Sequence, residues 1–186
     1  GFPENNIPIT GNTVIDALLE SSNRVEDLEN KEIINLKKKV NFNKRILLVT
    51  GHRRENHGQG FINICAALKE ISIKNPYVEI IYPVHLNPNV LEPVNNLLGN
   101  INNIHLVKPF SYPSFVWLMK KSYLIITDSG GVQEEAPSLG KPVLVMRDTT
   151  ERPEAVDAGT VILVGTNTDK IIKETQELLD DSDKYK

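Results

Sequence analysis

The chain has 186 residues, with 21 Lys and Arg against 24 Asp and Glu, a formal net charge of −3, 40% hydrophobic residues and one cysteine. This composition suits one globular domain with a real core. It gives no global basic field for nucleic acid or an anionic membrane, so a phosphate-bearing ligand would need a local cluster of donors. Cys65 alone excludes an intrachain disulfide and a cysteine-built zinc site. No apolar run approaches the roughly 20 residues of a membrane helix. The opening GFPENNIPITGN lacks both an initial Met and the pattern of a signal peptide, which points to an excised piece of a longer chain. A reducing, cytoplasmic setting is expected.

In chain order, residues 1–43 read as an interdomain leading segment and connector helix, and residues 44–186 as a Rossmann-like nucleotide-binding domain. Within the first part, VIDALLESSN looks helical. The strongly charged RVEDLENKEIINLKKKVNFN reads as a surface connector, with Lys37, Lys38 and Lys39 on a solvated helix face. From residue 44 onward, short runs rich in Ile and Val alternate with amphipathic stretches. Strands are expected at 46–50, 78–84, 104–107, 124–127, 143–146 and 161–164. They are almost wholly apolar, as strands covered on both faces are. Helices are expected at 61–72, 89–98, 112–120, 132–139 and 168–180, with another starting at Pro153. Repeated βα units predict a doubly wound parallel sheet.

Ligands of such a sheet sit outside the carboxyl ends of its strands. After ILLVT comes GHRRENHGQG, with two arginines, two histidines and three glycines in ten residues. Arginine forks suit phosphate, and histidine can donate to phosphate or move a proton. Of this cluster, His57 reads as a bystander. After LIIT comes DSGGVQEE, where Ser129, Gly130 and Gly131 precede a helix whose free N–H groups suit an anion, and Glu135 lies one turn in, placed for a ribose diol. The same turn also allows Ser129 to be only an N-cap. Neither a Walker loop nor GxGxxG is present. After VLVM comes RDTTERPE, which sets Arg152 beside a helix start. His85, after VEIIYPV, is as readily a structural hydrogen-bonder as a ligand, and His105, inside a strand, reads as structural.

Taken together, ITGNTVIDALL, TGHRREN, YPVHLNPNV and TDSGGVQEEAPSLGKPVLVMRDTTERPEAV resemble the non-hydrolysing bacterial and archaeal UDP-N-acetylglucosamine 2-epimerases, from about residue 8 to the end. The resemblance implies one half of a glycosyltransferase-B-like fold of two Rossmann-like domains. Here that half is the second domain, without the first domain and the final helices. It implies a catalytic role for His52, diphosphate binding by Ser129, Gly130 and Gly131, ribose binding by Glu135, and contact of Arg152 with the nucleotide sugar. Arg53 and His85 match residues that contact a second, activating UDP-N-acetylglucosamine.

The implied reaction inverts C2 of the sugar by eliminating UDP and re-adding it, with acid–base carboxylates supplied by the other domain. No metal or redox cofactor is expected. The expected partners are UDP-N-acetylglucosamine, UDP, the first domain and, for the parent enzyme, a second copy in a homodimer; nucleic acid and membrane are not. A hydrolysing 2-epimerase, a UDP-sugar glycosyltransferase domain and a non-catalytic nucleotide-sugar module are the alternatives.

Overall fold

Six short runs of branched apolar residues form the strands Arg45–Thr50 (β1), Val78–Pro83 (β2), Ile104–Val107 (β3), Leu124–Thr127 (β4), Val143–Val145 (β5) and Val161–Leu163 (β6). A computed structural model describes residues 1–8, 11–27 and 29–185 of the chain. Ile9 and Thr10 of the ITGNTVIDALL motif, and Leu28 of the connector, therefore lie outside the described residues.

The strands make one parallel sheet in the order β3-β2-β1-β4-β5-β6. The order reverses between β1 and β4, and a doubly wound sheet opens its ligand crevice at that switch point. The α/β class and the Rossmann-like sheet expected from the sequence are what the chain adopts.

The helices are Thr13–Arg24 (α1), Lys31–Lys37 (α2), Gln59–Lys74 (α3), Pro88–Leu98 (α4), Tyr112–Lys121 (α5), Val132–Ser138 (α6), Pro153–Asp157 (α7), Thr168–Asp180 (α8) and Ser182–Tyr185 (α9). Successive side chains of a strand point to opposite faces, so β1 divides its residues between two cores. Leu47 and Val49 join Phe61, Ile64 and Leu68 of α3, Val94 of α4 and Ile171 of α8. Ile46 and Leu48 join Leu18 of α1, Ile33 and Leu36 of α2, Val116 of α5 and Ala136 of α6.

The second core corrects the reading of the charged segment as a surface connector. Leu18, Val25, Ile33, Leu36 and Val40 are all buried in it. Ile33, Leu36 and Val40 recur at three and four residues, so one stripe faces the sheet while Lys38 and Lys39 face water. Lys37 lies 5.6 Å over the ring of Trp117, which packs edge-on against Phe42.

Two polar anchors fix elements at the two rims of the sheet. Glu32 of α2 accepts from the backbone N–H and hydroxyl of Ser111 and, at 2.6 Å, from the Ser114 hydroxyl. It thus satisfies donors at the start of α5 that would otherwise be orphaned. On the opposite rim of the sheet, Glu79 bridges His105 at 2.5 Å and Lys44 at 2.9 Å. His105 is structural, as its place in a strand suggested.

Candidate functional site

The loop after β1 is built over a full layer of side chains. A Cβ on Gly51 would lie 3.1 Å from the Tyr82 hydroxyl and 3.4 Å from the methyl of Met146, so glycine is the residue that lets the chain turn there. The next two residues are tied down by Asp128, the first residue after β4. Its carboxylate is fully buried. It accepts from the N–H of His52 at 3.0 Å, the N–H of Arg53 at 2.9 Å and the side-chain amide of Asn56 at 3.2 Å. The Nδ1 of His52 stands 3.7 Å from the same carboxylate. That is beyond hydrogen-bond length.

The ring of His52 is stacked on that of His85, with centroids 5.4 Å apart and planes 16° from parallel. His85 Nδ1 accepts from the N–H of Asn87, which fixes the ring in its own loop. Arg53 turns its guanidinium to Glu55 at 2.9 and 3.2 Å. That hydrogen bond raises its pKa further above the ordinary arginine value.

The loop after β4 supplies the opposite wall. The N–H of Ser129 donates to the Thr127 hydroxyl, itself 2.6 Å from that of Thr50. Ser129 does not cap α6: its N-cap is Gly131, and no side chain makes a capping bond. Gly131 has φ −65° and ψ −42°, and a Cβ there would meet nothing within 4 Å. Neither backbone strain nor packing within this chain demands glycine at that position. An alanine would cost less conformational entropy by roughly 0.5–1 kcal/mol. The open space above Gly131, beside the free N–H groups of the first helical turn, is room a ligand can use. With seven residues, α6 adds little dipole of its own.

One buried amide joins this turn to the third loop. Gln133 Nε2 donates to the Ser129 carbonyl at 3.1 Å, and its Oε1 accepts from the Thr150 hydroxyl at 2.5 Å. The Thr150 hydroxyl in turn accepts from the N–H of Arg152. The Arg152 guanidinium is held by Glu134, whose other oxygen accepts from Asn12 at 2.7 Å. Glu135, 8% exposed, accepts from the Tyr112 hydroxyl at 2.8 Å. Burial and the neighbouring carboxylate push the Tyr112 hydroxyl up to about 12. Arg147 donates two hydrogen bonds to the Glu151 carboxylate, at 2.7 and 3.1 Å, across the base of the same loop.

Strand ends β1, β2, β4 and β5 therefore bring His52, Arg53, His85, Ser129, Gly130, Gly131, Glu135 and Arg152 to one rim of the sheet. A family model for UDP-N-acetylglucosamine 2-epimerase matches residues 1–186. The chain belongs to that family. A curated UDP-N-acetylglucosamine 2-epimerase of Campylobacter jejuni is 58% identical over 190 residues, covering 100% of this chain and 50% of the relative. The crystal structure of UDP-GlcNAc 2-epimerase from Neisseria meningitidis bound to UDP-GlcNAc superposes with a TM-score of 0.88 at 48% identity, covering 99% of this chain and 50% of that one. The Methanocaldococcus jannaschii UDP-GlcNAc 2-epimerase, in complex with UDP-GlcNAc and UDP, matches at 34% identity and a TM-score of 0.82, over 97% of this chain and 50% of that one. The chain thus spans about half the length of the epimerases it resembles.

Asp128 and Gln133 were not singled out from the sequence; both are buried polar residues whose partners lie elsewhere in the chain. His57, read as a bystander, packs on Phe61 with Nε2 buried and unpartnered. Among the described residues no group of three or more His, Cys, Asp or Glu is arranged to hold a metal ion, and no helix is long and apolar enough to cross a membrane.

Proposed function

We propose that this chain is the UDP-binding half of a non-hydrolysing UDP-N-acetylglucosamine 2-epimerase, with residues 44–186 as the nucleotide domain and residues 1–43 as the segment leading into it. The observation that carries the reading is the joining of three strand-end loops by two buried side chains. Asp128 fixes the backbone of His52 and Arg53, and Gln133 links Ser129 to the loop of Arg152. Such a rim is prearranged for an anion that develops charge as it leaves, and prearranged donors are worth most at that moment.

In this reading the free N–H groups at Gly130 and Gly131 and the unpaired Ser129 hydroxyl take the diphosphate. Arg152 adds its fork once Glu134 yields it. His52, beside Asp128, donates to the departing phosphate oxygen. Glu135 accepts from the ribose. Arg53 and His85, at the outer edge, take part in a second UDP-N-acetylglucosamine site. C2 of the intact sugar is not acidic, so UDP leaves first, giving a glucal-like intermediate, and returns with C2 inverted. The groups that move the C2 proton come from the other half of the longer protein. The family match and the solved relatives bound to UDP-GlcNAc, or to UDP-GlcNAc and UDP, support this substrate class.

The deciding experiment incubates the longer protein with UDP-N-acetylglucosamine in heavy water. Deuterium at C2 of both epimers is expected, with UDP-linked product retained. A transferase or a binding module leaves C2 protiated, and a hydrolysing enzyme releases free sugar and UDP. Either outcome replaces the proposal.

A further inference from the structure

Glu135 is assigned to the ribose, but a carboxylate chooses between ligands only if its plane is held. The terminal torsion of a glutamate is broad, and a free carboxylate turns to suit water as readily as a diol. In this chain one oxygen is committed: Oε1 accepts from the Tyr112 hydroxyl at 2.8 Å. Among the described residues Oε2 takes no hydrogen bond.

The donor is itself placed by a chain of contacts. Tyr112 is the first residue of α5, followed by Pro113, whose ring presets the first turn. Glu32 holds Ser111 and Ser114 on either side, and Asn30 donates to the Ser114 hydroxyl at 2.7 Å. Two residues of the charged segment therefore fix the start of α5, and α5 fixes the phenol. Tyr112 remains 43% exposed, so its ring contributes little to either core. Its one directed contact is the bond to Glu135.

We propose that Tyr112 is a positioning residue that locks the Glu135 carboxylate in the plane a vicinal diol requires, and so sets the preference for a ribonucleoside over a deoxyribonucleoside diphosphate. This rests on the reading of Glu135 as the ribose acceptor. With Oε1 occupied on one lone pair, Oε2 and the remaining lone pair of Oε1 form a fixed pair of acceptors. Two hydroxyls on adjacent carbons match that pair, and one hydroxyl leaves half of it dry and unpaired, which a buried carboxylate does not tolerate.

The test is calorimetry on the full 186-residue chain with UDP, 2′-deoxy-UDP and 3′-deoxy-UDP. The unaltered chain is expected to prefer UDP over either analogue by roughly tenfold or more, the worth of a charge-assisted hydrogen bond. Tyr112→Phe keeps the ring and removes the hydroxyl. It is expected to shrink that preference to about threefold by weakening UDP alone, with both analogues unchanged. Glu135→Gln is expected to remove the preference altogether.

If Tyr112→Phe keeps the full preference while Glu135→Gln loses it, Tyr112 has no positioning role. An equal loss for all three nucleotides makes the tyrosine a general structural contact, as does a thermal melt far below that of the parent. If Glu135→Gln also keeps the full preference, the ribose reading of Glu135 fails, and the inference with it. Absence of UDP binding by the unaltered chain overturns both.

Discussion

Arg152 is engaged before any ligand arrives: Glu134 holds its guanidinium, and Thr150 holds its N–H. In the proposed reading a diphosphate would exchange one carboxylate partner for another anion, so the arginine is preordered at small entropic cost. Arg152→Ala is expected to weaken UDP binding by tenfold or more, since a charge-assisted bond contributes about 1.5–3 kcal/mol. Lys38→Ala, on the exposed flank of α2, is expected to change it little, and equal losses in calorimetry would reduce the site to general charge. Glu79 offers a separate test away from the cleft. Burial pushes its carboxyl up, but hydrogen bonds from His105 and Lys44 hold it below the ordinary 4.5. Its contribution is therefore present above the unfolded value and is lost as pH falls through the lower folded one. Glu79→Gln should cost roughly 1–3 kcal/mol at pH 7, and the gap should shrink in urea unfolding in acid, below the ordinary carboxylate range. A gap of equal size at both pH values would exclude the ionic account. At this scale the sequence was legible wherever chemistry clustered at a strand end, as in GHRREN or DSGG. It was silent on Asp128 and Gln133, because hydrogen bonds closed across 76 residues for the one and 17 for the other leave no local spacing to read.

The strands were legible because most of their residues are covered on both faces and so are apolar, and the longer helices because one face of each repeats at three to four residues. The segment ahead of β1 misled through composition. Its charges are dense enough to hide a narrow stripe of Ile33, Leu36 and Val40, and seven helical residues give little periodicity to detect. Packing decided the matter. Ile33→Ala should cost about 2–5 kcal/mol, as a fully buried isoleucine in a close-packed site does. A loss under 1 kcal/mol in chemical denaturation would mean that α2 docks without contributing to the core. The same variant should loosen the start of α5, since Glu32 lies one residue away on the docked helix and holds Ser111. The short α6 was legible to within one residue: a helix was expected at 132–139 and Val132–Ser138 is found, with Pro137 inside it.

For the whole molecule, binding and turnover should separate. The loops proposed to meet UDP are tied to one another within this sheet, so the chain alone is expected to bind UDP. It is not expected to epimerise UDP-N-acetylglucosamine. Asp128, Glu134, Glu135 and Glu151 are each engaged by a donor, and none stands ready to move the C2 proton. Loss of an acid and a base each removes a factor of about 100 to 10,000. A proton NMR time course on the purified chain checks this, and turnover without the other half would sink it. The strand order carries a consequence in time. Leu47 of the central strand pairs with Leu124, so β1 cannot gain its second neighbour until most of the chain has been made. Closing so long a loop is slow, and refolding should take milliseconds to seconds rather than microseconds. Until β4 arrives, RILLVT is an apolar strand with one bare edge, and other nascent copies present the same edge. Crowded synthesis is therefore the moment at which this fold is most exposed to aggregation.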